Sequence, residues 1–128
     1  MSGERILIVD DNATNLKLVA YLMKASGYQV DTALDAEAAL EAIGANCPDL
    51  ILMDIQLPGI DGLELTRRLK ATPATREIVI VAVTAYAMKG DQDKALAAGC
   101  DDYITKPIDT RALPETIARH LAKRAAVS

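Results

Sequence analysis

The sequence predicts an α/β fold, one parallel sheet with helices packed on both faces. Ile6–Val9, Leu50–Met53 and Ile78–Val83 are continuous apolar runs with no polar side, as strands buried on both faces require. Segments with apolar residues at helical spacing lie between such runs. The two patterns alternate five times along the chain, which implies a parallel sheet covered on each side. Right-handed crossovers then restrict the topology to a doubly wound sheet.

Each element has its own local cause. The first strand is Ile6–Val9. A helix follows over Thr14–Ala25, with Leu16, Val19, Ala20 and Met23 on one face, Asn12 as its N-cap and Gly27 in the left-handed position after its end. Tyr28–Ala33 alternates weakly and reads as the second strand. Asp35 caps an alanine-rich helix over Ala36–Ala45. Pro48 forbids its continuation and leads into the third strand, Leu50–Met53. Pro58-Gly59 marks a turn ahead of a third helix, Leu63–Lys70, in which Asp61 and Gly62 serve turn and helix-start geometry. The fourth strand is Ile78–Val83. The fourth helix, Lys89–Ala98, has a mostly alanine apolar face and ends at Gly99. A short fifth strand spans Asp102–Ile104, and Thr110–Lys123 is the last helix, with Leu113, Ile117 and Leu121 aligned.

Composition narrows the function. The 128 residues suit one domain, core about 4–123, with no internal repeat and no output domain expected. Aromatics make up 3%, all tyrosine, so aliphatic side chains must fill the core. A net charge of −4 offers no electrostatic footprint for nucleic acid or an anionic membrane. No apolar stretch approaches the roughly 20 residues that span a bilayer, and the N-terminus lacks the plan of a signal peptide. A cytoplasmic location is expected. Cys47 and Cys100 form no CxxC motif and read as two reduced, partly buried thiols.

Five polar residues stand out by position. Asp10 and Asp11 follow the first strand, Asp54 the third, Thr84 the fourth and Lys106 the fifth. In a parallel sheet all of them gather at the carboxyl edge, where open α/β sheets bind ligands. Carboxylates facing one lysine suit a divalent cation and a phosphoryl group. Any one of these acids alone reads equally well as a loop residue or cap, Asp11 included; their joint occurrence with Thr84 and Lys106-Pro107 does not.

These motifs carry a resemblance. Val9-Asp10-Asp11-Asn12, Leu52-Met53-Asp54 through Asp61-Gly62, Val83-Thr84-Ala85 and Tyr103-Ile104-Thr105-Lys106-Pro107 resemble the receiver domains of two-component response regulators, in order and over essentially the whole chain. The stretch Ala82–Asp91 is further similar to single-domain phosphorelay regulators of the DivK type. The resemblance implies a flavodoxin-like doubly wound (βα)5 fold with strand order 2-1-3-4-5. It implies a phosphoacceptor at Asp54, and Mg²⁺ held by Asp10, Asp11, Asp54 and the backbone carbonyl of Gln56. Thr84, the Ala85 backbone and Lys106 would contact the phosphoryl group. Thr84 and Tyr103 would form the switch, and the Lys106-Pro107 peptide would be cis. Gln56 and Tyr86 occupy the positions that modulate dephosphorylation; the bulky Tyr86 ring suggests shielding of the acyl phosphate from water.

The implied function is a stand-alone response regulator that takes a phosphoryl group from a sensor histidine kinase or a histidine phosphotransfer protein. It would act on a downstream protein or relay the phosphate, as a monomer or a phosphorylation-dependent dimer, and catalyse only its own phosphorylation and dephosphorylation. Three other classes fit less well. An aspartyl phosphohydrolase of the haloacid dehalogenase type wants an acid two residues after its nucleophile, where Gln56 stands. A flavin carrier wants a hydroxyl-rich loop where Asp10 and Asp11 stand. A phosphate-independent binding module has no use for the acidic cluster. His120, the only histidine, lies between Arg119 and Leu121 and is not expected to donate phosphate; Asp101 and Asp102 are expected to be exposed.

Overall fold

The computed structural model describes residues 4–55, 62–84, 91–106 and 108–127. Its elements are β1 (Arg5–Val9), α1 (Ala13–Ala25), β2 (Gln29–Ala33), α2 (Ala36–Ala45), β3 (Leu50–Asp54), α3 (Gly62–Ala71), β4 (Val79–Thr84), α4 (Asp91–Ala98), β5 (Asp102–Thr105) and α5 (Leu113–Val127). The strands form one sheet in the order β2-β1-β3-β4-β5, and every neighbouring pair is parallel. This is the predicted doubly wound order.

Strand pleating divides the core into two layers. Leu7, Val9, Ile51, Met53, Ile80 and Ala82 face α2, α3 and α4, meeting Ala39, Leu65, Leu69 and Ala95. Ile6, Ile8, Leu50, Leu52, Val81 and Val83 face α1 and α5, meeting Leu16, Met23, Leu113 and Ile117. The strands look uniformly apolar because both faces are packed, while the period of two decides which layer each side chain joins.

The caps follow local chemistry. The Asn12 side chain accepts from the Asn15 N–H at 3.1 Å and Asp35 from the Ala38 N–H at 2.8 Å. Gly27 has φ 96° and Gly99 φ 111°. At both helix ends two backbone N–H groups turn back: Gly27 to Lys24 and Tyr28 to Met23, then Gly99 to Leu96 and Cys100 to Ala95. That pattern closes the last carbonyls of α1 and α4 and needs a left-handed residue at its centre. Tyr28 is thus spent on closing α1, and β2 begins one residue later than its pattern suggests.

α5 starts at Leu113 instead of Thr110. The Asp109 carboxylate accepts from the N–H groups of Arg111 and Ala112, holding residues 110–112 as a turn. Pro114 then falls in the first turn of the helix, where no donor is missed. α4 begins at Asp91; Lys89 and Gly90 lie outside the described residues. The cysteines are both free but not alike: Cys47 is exposed, against expectation, because it follows α2 in a surface loop, whereas Cys100 is buried. Burial pushes the Cys100 thiol up, so it stays protonated and inert.

Candidate functional site

The carboxyl edge of the sheet collects the polar residues that the strand ends promised. Asp54 is the last residue of β3 and Thr84 the last of β4, while Asp10 follows β1 and Lys106 follows β5. Main-chain bonds place them. The Asp10 N–H donates to the Ala33 carbonyl at 3.1 Å, the Ile55 N–H to Val83 at 3.1 Å and the Lys106 N–H to Thr84 at 2.7 Å. Each bond ties the residues just beyond one strand to the end of its neighbour, so side chains distant in sequence are held on a common frame.

Asp54 is 3% exposed and Thr84 0%, and Asp10 is buried too; only Asp11 of the acidic group reaches solvent. One carboxylate oxygen from each of Asp10, Asp11 and Asp54 lies within 4.8 Å of the others. The Lys106 ammonium stands 3.1 Å from Asp54 Oδ2 and 3.2 Å from Asp10 Oδ2. Asp10 also accepts from the Asn12 N–H at 2.9 Å, which aims its carboxylate inward from the start of α1. Burial pushes the Lys106 pKa down, but hydrogen bonds and charge from Asp54 and Asp10 outweigh it and hold the pKa above the ordinary lysine value. The amine is therefore a permanent cation at neutral pH.

Charge counting makes the site unusual. Among the described residues, three carboxylates in a largely buried cluster gather around one ammonium. Oxygen donors so close together suit a hard divalent cation such as Mg²⁺, which coordinates through carboxylates and keeps waters of its own.

Tyr103 is half-buried against the core layer under α2, α3 and α4. Ala82 pairs with Tyr103 and Thr84 with Thr105. By pleating, Thr84 and Tyr103 therefore lie on the same face of adjacent strands. Gln56, Ala85, Tyr86 and the proline of the Lys106-Pro107 peptide lie outside the described residues.

Two features escaped the sequence reading. Gly62, taken there as turn geometry, begins α3 directly against the phosphoacceptor candidate's backbone. A Cβ at this position would lie 2.5 Å from the Asp54 carbonyl oxygen and 2.7 Å from the Ile55 Cα. An Asp-Gly pair signals a turn, but nothing local signals that close approach. Asp102, expected to be exposed, is half-buried and accepts from the Tyr103 N–H at 2.7 Å, and its other oxygen lies 2.7 Å from His120 Nε2. Burial pushes the Asp102 carboxyl up, yet the His120 and Tyr103 hydrogen bonds prevail and hold it below the ordinary aspartate value. Asp101 is exposed as expected, but it bridges the Ile80 N–H at 2.8 Å and the Lys70 ammonium at 3.2 Å.

Comparison with known proteins agrees with this geometry. The profile of the response regulator receiver domain matches residues 6–118. The chain belongs to that family. It is 46% identical over 116 residues to the polar-differentiation response regulator DivK of Brucella anthropi, covering 91% of this chain and 94% of that protein. Among solved structures, a CheY-like receiver domain protein from Methanospirillum hungatei JF-1 superposes with a TM-score of 0.91 at 33% identity, covering 98% of both chains. The BeF3-activated DrrB receiver domain superposes with a TM-score of 0.86 at 29% identity, over 95% of this chain and 99% of that one. No helix among the described residues is long and apolar enough to cross a membrane.

Proposed function

We propose that this receiver domain is a stand-alone response regulator phosphorylated on Asp54 in a Mg²⁺-dependent reaction. The observation that carries the reading is the Asp54 carboxylate itself, almost wholly buried at a strand end, in contact with Lys106 and within reach of Asp10 and Asp11. The donor is a phosphohistidine on a sensor histidine kinase or a histidine phosphotransfer protein. An Asp54 carboxylate oxygen attacks phosphorus, the bond from phosphorus to the imidazole nitrogen breaks, and an acyl phosphate forms as the histidine regains a proton. Positioning and charge stabilisation carry the reaction.

Asp10, Asp11, Asp54 and, by resemblance, the Gln56 carbonyl would hold Mg²⁺. Bound there, the ion supplies the positive charge that lets three carboxylates and a phosphoryl group share the site. Lys106 supplies a second positive charge, already in contact with Asp54. The Thr84 hydroxyl and the Ala85 backbone would then donate to phosphoryl oxygens.

Output follows from the shared face of Thr84 and Tyr103. Drawing Thr84 toward a phosphoryl group changes the space beside β4, and Tyr103 is placed to turn into it. The surface of α4, β5 and α5 would change with it, presenting a new shape to a downstream protein or to a second copy of the chain. The response is a population shift, limited by how differently the phosphoryl group binds the two states. That the DrrB receiver domain has a BeF3-activated form supports reading this fold as a switch. The only catalysis expected is the chain's own phosphorylation and dephosphorylation, the latter slowed by the Tyr86 ring.

Incubation with acetyl phosphate, with and without Mg²⁺, tests the reading by intact mass. The native chain should gain one phosphoryl group only with Mg²⁺, and Asp54→Asn should gain none. Full-yield phosphorylation of Asp54→Asn would move the acceptor elsewhere.

A further inference from the structure

Thr66 is a wholly buried polar side chain that the proposed chemistry does not use. It lies on the inner side of α3 and is 0% exposed. Its hydroxyl donates to the Gly62 carbonyl at 2.8 Å, and the Cys100 thiol donates to that hydroxyl at 3.8 Å. The two bonds run in one direction, which turns the Thr66 proton toward Gly62. In a helix that begins at Gly62, the Thr66 N–H already addresses the same carbonyl. The hydroxyl is thus a second donor that the helix itself does not need, and such back-bonding tends to bend a helix and not to strengthen it. For the stability of α3 an apolar side chain of the same shape would serve as well.

What sets this hydroxyl apart is the residue it acts on. Gly62 abuts the main chain of the phosphoacceptor candidate so closely that a Cβ would lie 2.5 Å from the Asp54 carbonyl oxygen. The Gly62 N–H donates to the Ile55 carbonyl at 3.2 Å. Gly62 is therefore held at both of its peptides, by Ile55 through the N–H and by Thr66 through the carbonyl. With no side chain between them, a rotation of Gly62 passes directly to Asp54. Cys100 anchors the other end. It is buried, follows the left-handed Gly99, and closes α4 with its own N–H on the Ala95 carbonyl at 3.0 Å. A continuous line of contacts runs from the end of α4 through Thr66 and Gly62 to Asp54.

We infer that Thr66 is a positioning residue for phosphoryl acceptance, its hydroxyl setting the first turn of α3 and, through Gly62, the placement of the Asp54 carboxylate. The inference rests on the proposed acyl-phosphate chemistry and adds a residue that acts on Asp54 only through the main chain. In-line attack tolerates little error, since a misplacement of about 1 Å can cost about 100-fold in rate. Carboxylates that share one cation are equally exacting about where their oxygens lie. A residue that only filled space would be replaceable by an isosteric one, whereas a residue that aims the acceptor is not.

The test compares Thr66→Val, which keeps the shape and loses the hydroxyl, with Thr66→Ser, which keeps the hydroxyl and loses a methyl. Each full chain is phosphorylated with acetyl phosphate at saturating Mg²⁺, followed by intact mass, and unfolded in urea. Thr66→Val should be at least as stable as the native chain, because an apolar group replaces a buried hydroxyl, yet gain its phosphoryl group about threefold to tenfold more slowly. Thr66→Ser should be less stable through the lost methyl, yet react within about twofold of the native rate. Amide NMR in metal-free buffer should show the Asp54 and Ile55 resonances displaced in Thr66→Val and near their native positions in Thr66→Ser. A rate that follows stability across the three chains, a Thr66→Val rate equal to the native one, or unmoved Asp54 and Ile55 amides in Thr66→Val would each overturn the inference and leave the acceptor reading intact. A native chain that takes up no phosphoryl group would instead overturn that reading, and this inference with it.

Discussion

Two lysines in this chain reach the ends of the sheet, and they end in opposite company. Lys70, on α3, reaches the amino edge of β4 and donates to the carbonyls of Arg76 at 3.2 Å and Ile78 at 2.7 Å and to the Asp101 carboxylate at 3.2 Å. One ammonium meets one carboxylate and neutral acceptors, and the charge is balanced. Lys106 reaches the carboxyl edge and meets two buried carboxylates, with a third close by. There, among the described residues, the carboxylates outnumber the ammonium. A cluster that only holds a fold together tends toward neutrality, because uncompensated buried charge is costly. One left with surplus charge is set up for an ion or a ligand, and strongly perturbed groups gather at such sites.

The contrast is broken most forcefully at Lys106. Lys106→Met should lower unfolding free energy in metal-free buffer by about 3 kcal/mol, since it strips a cation from two buried carboxylates. Adding Mg²⁺ should restore most of that loss, as urea denaturation would show. A loss that Mg²⁺ leaves untouched would mean that the acids do not share a cation site.

Gly62→Ala should come next. Its Cβ would drive into the Asp54 carbonyl, so about 1–3 kcal/mol of stability should go. Phosphorylation by acetyl phosphate should slow as well, because the displaced backbone carries the acceptor. Lys70→Met should cost about 1–2 kcal/mol by losing bonds to partly exposed acceptors, while the initial phosphorylation rate stays near that of the native chain. If Lys70→Met impaired phosphorylation as strongly as Gly62→Ala, the two ends of the sheet would not be separable.

The smallest effect belongs to the Asp102–His120 pair. The Asp102 pKa is depressed in the folded state, so the pair's contribution is present above the unfolded value of about 3.8 and is lost as pH falls through the lower folded value. Asp102→Asn should therefore be less stable than the native chain near neutrality, by under about 1 kcal/mol for so accessible a pair. The difference should vanish in acid. Stability measured by denaturant at pH 6 and below pH 3 would show it.

What could be read from the chain alone was what short range decides. The apolar runs named the strands, Asn12 and Asp35 named two helix starts, and Gly27 and Gly99 named two helix ends, because propensity, capping and left-handed backbone act within a few residues. Parallel alternation was enough to send Asp10, Asp11, Asp54, Thr84 and Lys106 to one edge. The start of α5 was misread because Asp109 captures two backbone donors first, a competition that periodicity does not register. Contacts between remote elements were invisible. Gly62 against Asp54, Lys70 with Asp101 and His120 with Asp102 each depend on how a helix lies across the sheet. The sequence by itself determined which residues reach the carboxyl edge, since parallel alternation sends the carboxyl end of every strand to the same side of the sheet. Only the tertiary structure decided which of them touch, and that Lys106 meets both Asp10 and Asp54, because contact distances are set by packing between elements and no local rule encodes them.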